Sequence, residues 1–179
     1  VTGNFWQTPE LVLEHVRAVD EIALDPCTNS TNPTRAKRII TPEQDPHGLL
    51  ADWWVIADGG LAYCNPPYGR GHAHAWAAKI VHEAELGCEI IALTRGDLST
   101  RWARMMLDAA RAVCFPPRIK FKGATGSPNF SNAIFYFGTR PITFDWAFSD
   151  LGPVVQPTPR SPRSAFKRNE QPTTKGNEQ

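Results

Sequence analysis

A short apolar run, Leu61-Ala62-Tyr63-Cys64, stops at two consecutive prolines in Asn65-Pro66-Pro67-Tyr68, and Gly69 and Gly71 follow at once. No other feature constrains the fold as much. Asn65 and Pro66 each precede a proline, so helical backbone angles are disfavoured at both and the segment is held extended. The glycines then release the chain to turn. From 72 to 86 the pattern is helical: Ala73, Trp76, Ala77, Ile80, Val81 and Ala84 share a broad face, and Gly87 closes it. A buried strand, a rigid turn and a helix in that order form the repeating unit of an α/β protein.

The same alternation recurs along the chain. Residues 8–19 predict a helix with Thr8 as its cap and Pro9 at the first helical position, its apolar stripe being Leu11, Val12, His15, Val16 and Val19. Strands are predicted at 21–25, 61–64, 88–94, 112–115 and 130–138, with further candidates at Ile39–Ile40, 118–121 and 142–148. A further helix is predicted at 98–110. The connection from Cys27 to Gly48 is rich in Asn, Thr, Ser and Pro, and a loop that long is usually functional. Strand–helix alternation followed by clustered strands predicts a three-layer α/β domain over residues 1–151, with a mostly parallel sheet and an antiparallel edge strand. Residues 152–179 hold five prolines and almost no apolar side chains, and predict a disordered tail.

The chain has 179 residues, 41% hydrophobic, with a mean hydropathy of −0.35, which suits one soluble globular domain and excludes collagen-like or wholly disordered chains. The first fifteen residues meet acidic side chains before any long apolar run, unlike a signal peptide, and no stretch approaches a membrane span. Cys27, Cys64, Cys88 and Cys114 are widely spaced, and predict buried free thiols in a reducing compartment. The net charge of +1 points to no polyanion, but its distribution is uneven. The tail carries five basic and two acidic residues, which suits either a solubility tail or a loose nucleic-acid contact. Residues 95–122 hold seven basic residues against Asp97 and Asp108. Arg118, Lys120 and Lys122 alternate with Ile119 and Phe121, so one side of that segment is basic and the other apolar. This is a candidate phosphate-contact strip. Arg95 and Asp97 follow a strand at an edge where α/β sheets bind ligands; they suit either a ligand contact or a solvent pair.

The chemistry concentrates at residues 65–68. An amide oxygen, a fixed carbonyl and an aromatic ring together cradle a planar group bearing an exocyclic amine, although a plain connecting turn has the same residues. Asp25 followed by Pro26 ends a strand at the same kind of edge, where an Asx turn is the simpler role. His72 and His74 resemble a metal pair, but no further ligand has matching spacing, so no metal is expected. Phe130, Tyr136 and Trp146 are assigned to packing.

NPPY directly after a hydrophobic strand resembles the catalytic motif of amino-group methyltransferases that use S-adenosylmethionine (AdoMet). The body from Phe5 to Phe137 is similar to the small phage-type (Dam-like) DNA N6-adenine methyltransferases. The similarity lies in FWQTPELV at 5–12, ALDPCTN at 23–29, HGLLADW at 47–53, LAYCNPPYGRG at 61–71, IIALTRGDLSTRW at 90–102, AVCFPPRIKFKG at 112–123 and SPNFSNAIFYF at 127–137. The resemblance implies a Rossmann-like fold and transfer of a methyl group from AdoMet to adenine N6 in double-stranded DNA, inside a bacterial host cell. It implies that Phe5, Thr8 and Pro9 hold the methionine end of AdoMet and that Asp25 orients its amino-acid part. An acidic residue before Gly-Leu is expected at the cofactor's adenine. Here Asp45 lies two positions before His47, and either, or neither, takes that contact. The family's site also implies that Asn65 and Pro66 accept from the adenine amine, with Pro67 stiffening the turn and Tyr68 stacking on the base. Arg95, Arg118, Lys120 and Lys122 are the candidate DNA contacts. The loop DPCTNSTNP departs from the glycine-rich turn common in AdoMet enzymes. Methylation of cytosine N4, RNA adenine or protein glutamine, or a catalytically silent relative that binds nucleic acid, are the rival readings.

Overall fold

The computed structural model describes residues 6–44, 47–67, 71–123 and 129–158. Its centre is a seven-stranded sheet ordered β2-β1-β3-β4-β6-β5-β7. The strands are β1 (Ile22–Asp25), β2 (Arg38–Ile39), β3 (Leu61–Cys64), β4 (Ile90–Arg95), β5 (Ala112–Cys114), β6 (Asn132–Phe137) and β7 (Val154–Val155). β2, β1, β3 and β4 are mutually parallel; β6 is antiparallel to β4 and to β5, and β7 is antiparallel to β5. The strands predicted at 21–25, 61–64 and 88–94 are thus parallel neighbours. Five strands, β5 included, end at one edge of the sheet.

Side chains alternate across the strands and feed two cores. Ala62, Cys64, Ile90, Ala92, Phe135 and Phe137 point to one face. Leu61, Tyr63, Ile91, Leu93, Ile134 and Tyr136 point to the other. The first face is covered by α2 (Trp53–Ala57), α3 (His72–Glu85) and α4 (Arg101–Ala109), through Trp53, Trp76, Ile80 and Met106. The second is covered by α1 (Glu10–Val19) and α5 (Pro141–Phe148), through Val12, Leu13, Val16, Phe144 and Phe148. No helix among the described residues is long and apolar enough to cross a membrane.

Several expectations change. Residues 142–148 form the helix α5, not a strand. Their apolar alternation splits into two pairs four residues apart: Phe144 and Phe148 are buried, while Ile142 and Trp146 are exposed, and Pro141 starts the helix. Trp146, at 82% exposure, is therefore no packing residue. Residues 118–121 form no strand, and the Ile119 N–H donates to the Asn132 side chain at 3.3 Å, but Ile119 and Phe121 are still buried between exposed Arg118, Lys120 and Lys122. The cap of α1 is Pro9 and makes no side-chain bond; Thr8 is used elsewhere, and Leu11 is exposed while Leu13 takes its place in the core. The body also continues past residue 151, because β7 pairs with β5. Residues 159–179, most of the predicted tail, lie outside the described residues.

Candidate active site

The parallel strands β1 and β3 end side by side, and each delivers a polar residue to the same rim. A cleft of about 880 Å³ opens there. Its walls include Trp6, Gln7 and Thr8 from the segment before α1, Asp25 to Asn29 after β1, and Asn65, Pro66 and Pro67 after β3. Thr34, His47 and Leu49, Tyr63 of β3, His72 and Trp76 of α3, Arg95 at the end of β4, and Asn129 and Phe130 also line it.

Asp25 is buried. It accepts from the Thr34 hydroxyl at 2.9 Å and from the Cys27 backbone N–H at 3.2 Å. The second bond is the Asx turn the sequence allowed, so the turn and a ligand contact are compatible. Burial pushes the Asp25 carboxyl up to about 6, against the opposing pull of Thr34, Cys27 and Thr28. No cation forms an ion pair with it among the described residues. A buried carboxylate supported only by neutral donors suits a cationic ligand group.

Asn65 is oriented by its neighbours. Its Nδ2 donates to the Trp6 carbonyl at 2.9 Å and to Thr8 Oγ1 at 3.2 Å. Thr8 Oγ1 also lies 2.8 Å from Tyr63 Oη. Both amide donors are thus turned to the segment before α1, which leaves the amide oxygen on the opposite side of the group as its acceptor. Asn65 therefore ties Trp6 and Thr8 to the end of β3 as well as lining the cleft. Trp6 stacks on Phe130 with centroids 5.4 Å apart and planes 8° apart, and the Arg95 guanidinium lies over the Phe130 ring at 4.8 Å. Phe130, assigned to packing by its sequence, is half-buried and walls the cleft.

Gly48 explains the Gly-Leu pair of the loop. A Cβ there would sit 2.0 Å from the Pro26 carbonyl oxygen and 2.8 Å from the Trp76 ring, so only glycine lets this loop close over the end of β1. The Gly48 carbonyl accepts from Trp53 Nε1 at 2.7 Å. His47 lines the cleft and accepts at Nδ1 from the Leu49 N–H at 3.3 Å.

Of the remaining predicted site residues, Phe5, Asp45 and Tyr68 lie outside the described residues. Pro9 caps α1 next to Thr8 but does not line the cleft. Arg118, Lys120 and Lys122 stand outside it, and Lys122 is joined to its lip by an antiparallel bridge to Gln7. Cys27 and Cys64 bring their sulfurs to 3.5 Å, and burial pushes both thiols up. Among the described residues no three His, Cys, Asp or Glu side chains converge as a metal site. Sequence reasoning missed Trp6, Thr34 and Tyr63. Trp6 belongs to the FWQTPELV segment, whereas nothing local marks Thr34 or Tyr63 as partners of the site.

No curated protein matches the chain. The family model described as DNA N-6-adenine-methyltransferase (Dam) matches residues 1–135, which include every described residue of the cleft. With that match over most of its length, the chain belongs to the DNA N-6-adenine-methyltransferase family, whose members methylate adenine N6 in DNA with AdoMet as methyl donor.

Proposed function

We propose that the cleft is the methyl-transfer site, with AdoMet held at the β1 end and the target adenine presented to the Asn65-Pro66-Pro67 turn. The carrying observation is that Asp25 and Asn65, at the ends of adjacent parallel strands, line one cleft. The mixed sheet with helices on both faces supports a Rossmann-like three-layer sandwich, a fold that binds ligands at this edge. AdoMet carries an ammonium group and supplies, when bound, an electrophilic methyl. The buried Asp25 carboxylate, supported by Thr34 and Cys27, suits that ammonium. The aromatic Trp6 and the loop at His47–Leu49 provide walls for the rest.

The partner is double-stranded DNA, and the adenine amine is buried in the duplex, so the base is extruded before reaction. An aromatic amine is a weak nucleophile because its lone pair is delocalised into the ring. The Asn65 amide oxygen and the Pro66 carbonyl accept from N6–H, which localises that lone pair and aims it. Pro67 keeps the Pro66 carbonyl from rotating away. Tyr68 supplies the ring on which the base stacks.

The test is to incubate the protein with methyl-labelled AdoMet and duplex DNA, single-stranded DNA, RNA or protein, and to identify the labelled species after hydrolysis. Label is expected on DNA as N6-methyladenine. N4-methylcytosine would keep the polymer and refute the base, and label on protein glutamine would refute the polymer. Asn65→Ala is expected to remove most turnover. Undiminished turnover in that variant would overturn the role given to Asn65.

A further inference from the structure

Apart from Arg111, the basic side chains among the described residues fall into two groups, one held by protein partners and one not. On and around the β1–β2 half, Arg17 and Arg35 pair with Glu10, Lys37 with Glu21 at 2.6 Å, and Arg38 donates to the Ile56 carbonyl. Lys79 pairs with Glu83 inside the α3 layer, and Arg140 with Asp20 and Glu89 at the opposite edge of the sheet. Arg111, at the start of β5, also lies at that opposite edge. The other six cations are Arg95, Arg101, Arg104, Arg118, Lys120 and Lys122. All are exposed and none is in an ion pair among the described residues; Arg95 ends β4, and the others lie on the segments that leave β4 and β5 at the edge that carries the cleft.

These six form two tracks that adjoin the reactive turn. Arg101 and Arg104 lie on α4. Its cap Thr100 and its Trp102 share a small hollow with Pro66, Pro67 and Arg95. Arg118, Lys120 and Lys122 lie on the segment bridged to the cleft lip at Gln7. The acidic groups nearby are few. Asp97 accepts from the Ser99 N–H and hydroxyl, and Glu85 and Asp108 share an open groove with Arg101 and Arg104. Cations without an ion pair among the described residues on both sides of a rim, beside a half whose cations, Arg38 excepted, are ion-paired, match a polyanion that covers one half only.

We propose that the duplex lies over the β4–β5 half of the active edge, with Arg101 and Arg104 of α4 contacting phosphates on one side and Arg118, Lys120 and Lys122 on the other. The β1–β2 half, where the cofactor end of the cleft lies, stays outside the DNA footprint. This placement rests on the methyl-transfer reading of the cleft. It adds Arg101 and Arg104 as backbone contacts, and these read no base.

Binding of a labelled duplex by the full-length protein, measured by anisotropy across a range of salt, tests it. Each phosphate contact adds about 0.9 to the slope of log affinity against log salt. Arg101→Ala with Arg104→Ala is expected to lower that slope by roughly 1.8, and Arg118→Ala with Lys120→Ala by a similar amount, equally on unrelated sequences. The charge-matched control, Lys37→Ala with Arg38→Ala, is expected to leave it unchanged. Label transfer to DNA by the wild type separates the two readings. If the wild type methylates DNA but the α4 variant keeps its slope, or the control loses as much, the footprint is wrong and the catalytic reading stands. If the wild type labels only RNA or protein, the catalytic reading fails and takes the footprint with it.

Discussion

Asp25 holds a carboxylate where burial opposes ionisation. Its carboxyl is raised from 3.8 to about 6, so at neutral pH the free protein carries a charge that folding disfavours by up to roughly 3 kcal/mol. The stabilising contribution of the protonated form is complete below pH 3.8 and is lost as pH rises through about 6. Asp25→Asn removes the charge, and the Thr34 hydroxyl retains Asn32 Oδ1 as an acceptor at 3.3 Å. In the absence of AdoMet, this variant is expected to melt a few degrees higher than the wild type at pH 8, with the difference vanishing near pH 4. Thermal melts at both values check it. AdoMet binding should show the opposite preference, because its ammonium requires the ionised carboxylate. Wild-type affinity is expected to rise between pH 5 and pH 7 and that of Asp25→Asn to stay flat and weaker by roughly 1.5–3 kcal/mol, as read by calorimetric titration. Asn65 teaches a related lesson. Because its amide holds Trp6 and Thr8, Asn65→Ala is expected to reduce AdoMet affinity as well as turnover, a coupling invisible in the motif alone. Asp25 and Asn65 were legible in sequence because strand ends and prolines mark them locally. Thr34 and Tyr63 were not, because Thr34 meets Asp25 only through the path of the loop after β1 and Tyr63 meets Thr8 only when β3 packs against the segment before α1.

Among the elements, α2 is too short to show a helical period, and no helix was predicted at 53–57. It exists because the free N–H donors of its first turn are held by side chains outside that turn. Asp52 accepts from the Val55 N–H at 3.1 Å, and the buried Glu83 of α3 accepts from the backbone N–H groups of Trp53 and Trp54, each at 3.1 Å. Lys79 completes Glu83 with a 2.5 Å ion pair. Glu83→Ala would strand the largely buried Lys79 ammonium and two helix donors together. It is expected to cost about 3–5 kcal/mol, read as a lower denaturation midpoint, against about 1 kcal/mol for Asp52→Ala. Equal losses would show that the cap from α3 adds nothing to the local one. The longer helices and the strands β1, β3, β4 and β6 were readable from period and punctuation. α5 was misread because apolar residues at 142, 144, 146 and 148 satisfy both periods, and only Pro141 favours the helix.

At the scale of the whole molecule, the parallel neighbours β1, β3 and β4 were legible because crossover helices leave few ways to connect parallel strands. The antiparallel half was underestimated as an edge strand. It contains β6 and β7 with β5 between them, and β7 was assigned to the tail because only Val154 and Val155 break its polar surroundings. That two-residue strand ends the sheet beside β5, with backbone bonds continuing through the Phe115 N–H to the Pro153 carbonyl at 2.9 Å. A chain ended at residue 151 would keep the whole cleft yet uncover the hydrogen-bonding groups of Val113 and Phe115. Raw strand borders of that kind recruit other chains. The shortened protein is expected to self-associate on concentration while one ended at 158 stays dispersed, as light scattering would show. Residues 153–155, remote from any chemistry, would then act as a selvedge: they decide whether the enzyme remains a solution of separate molecules.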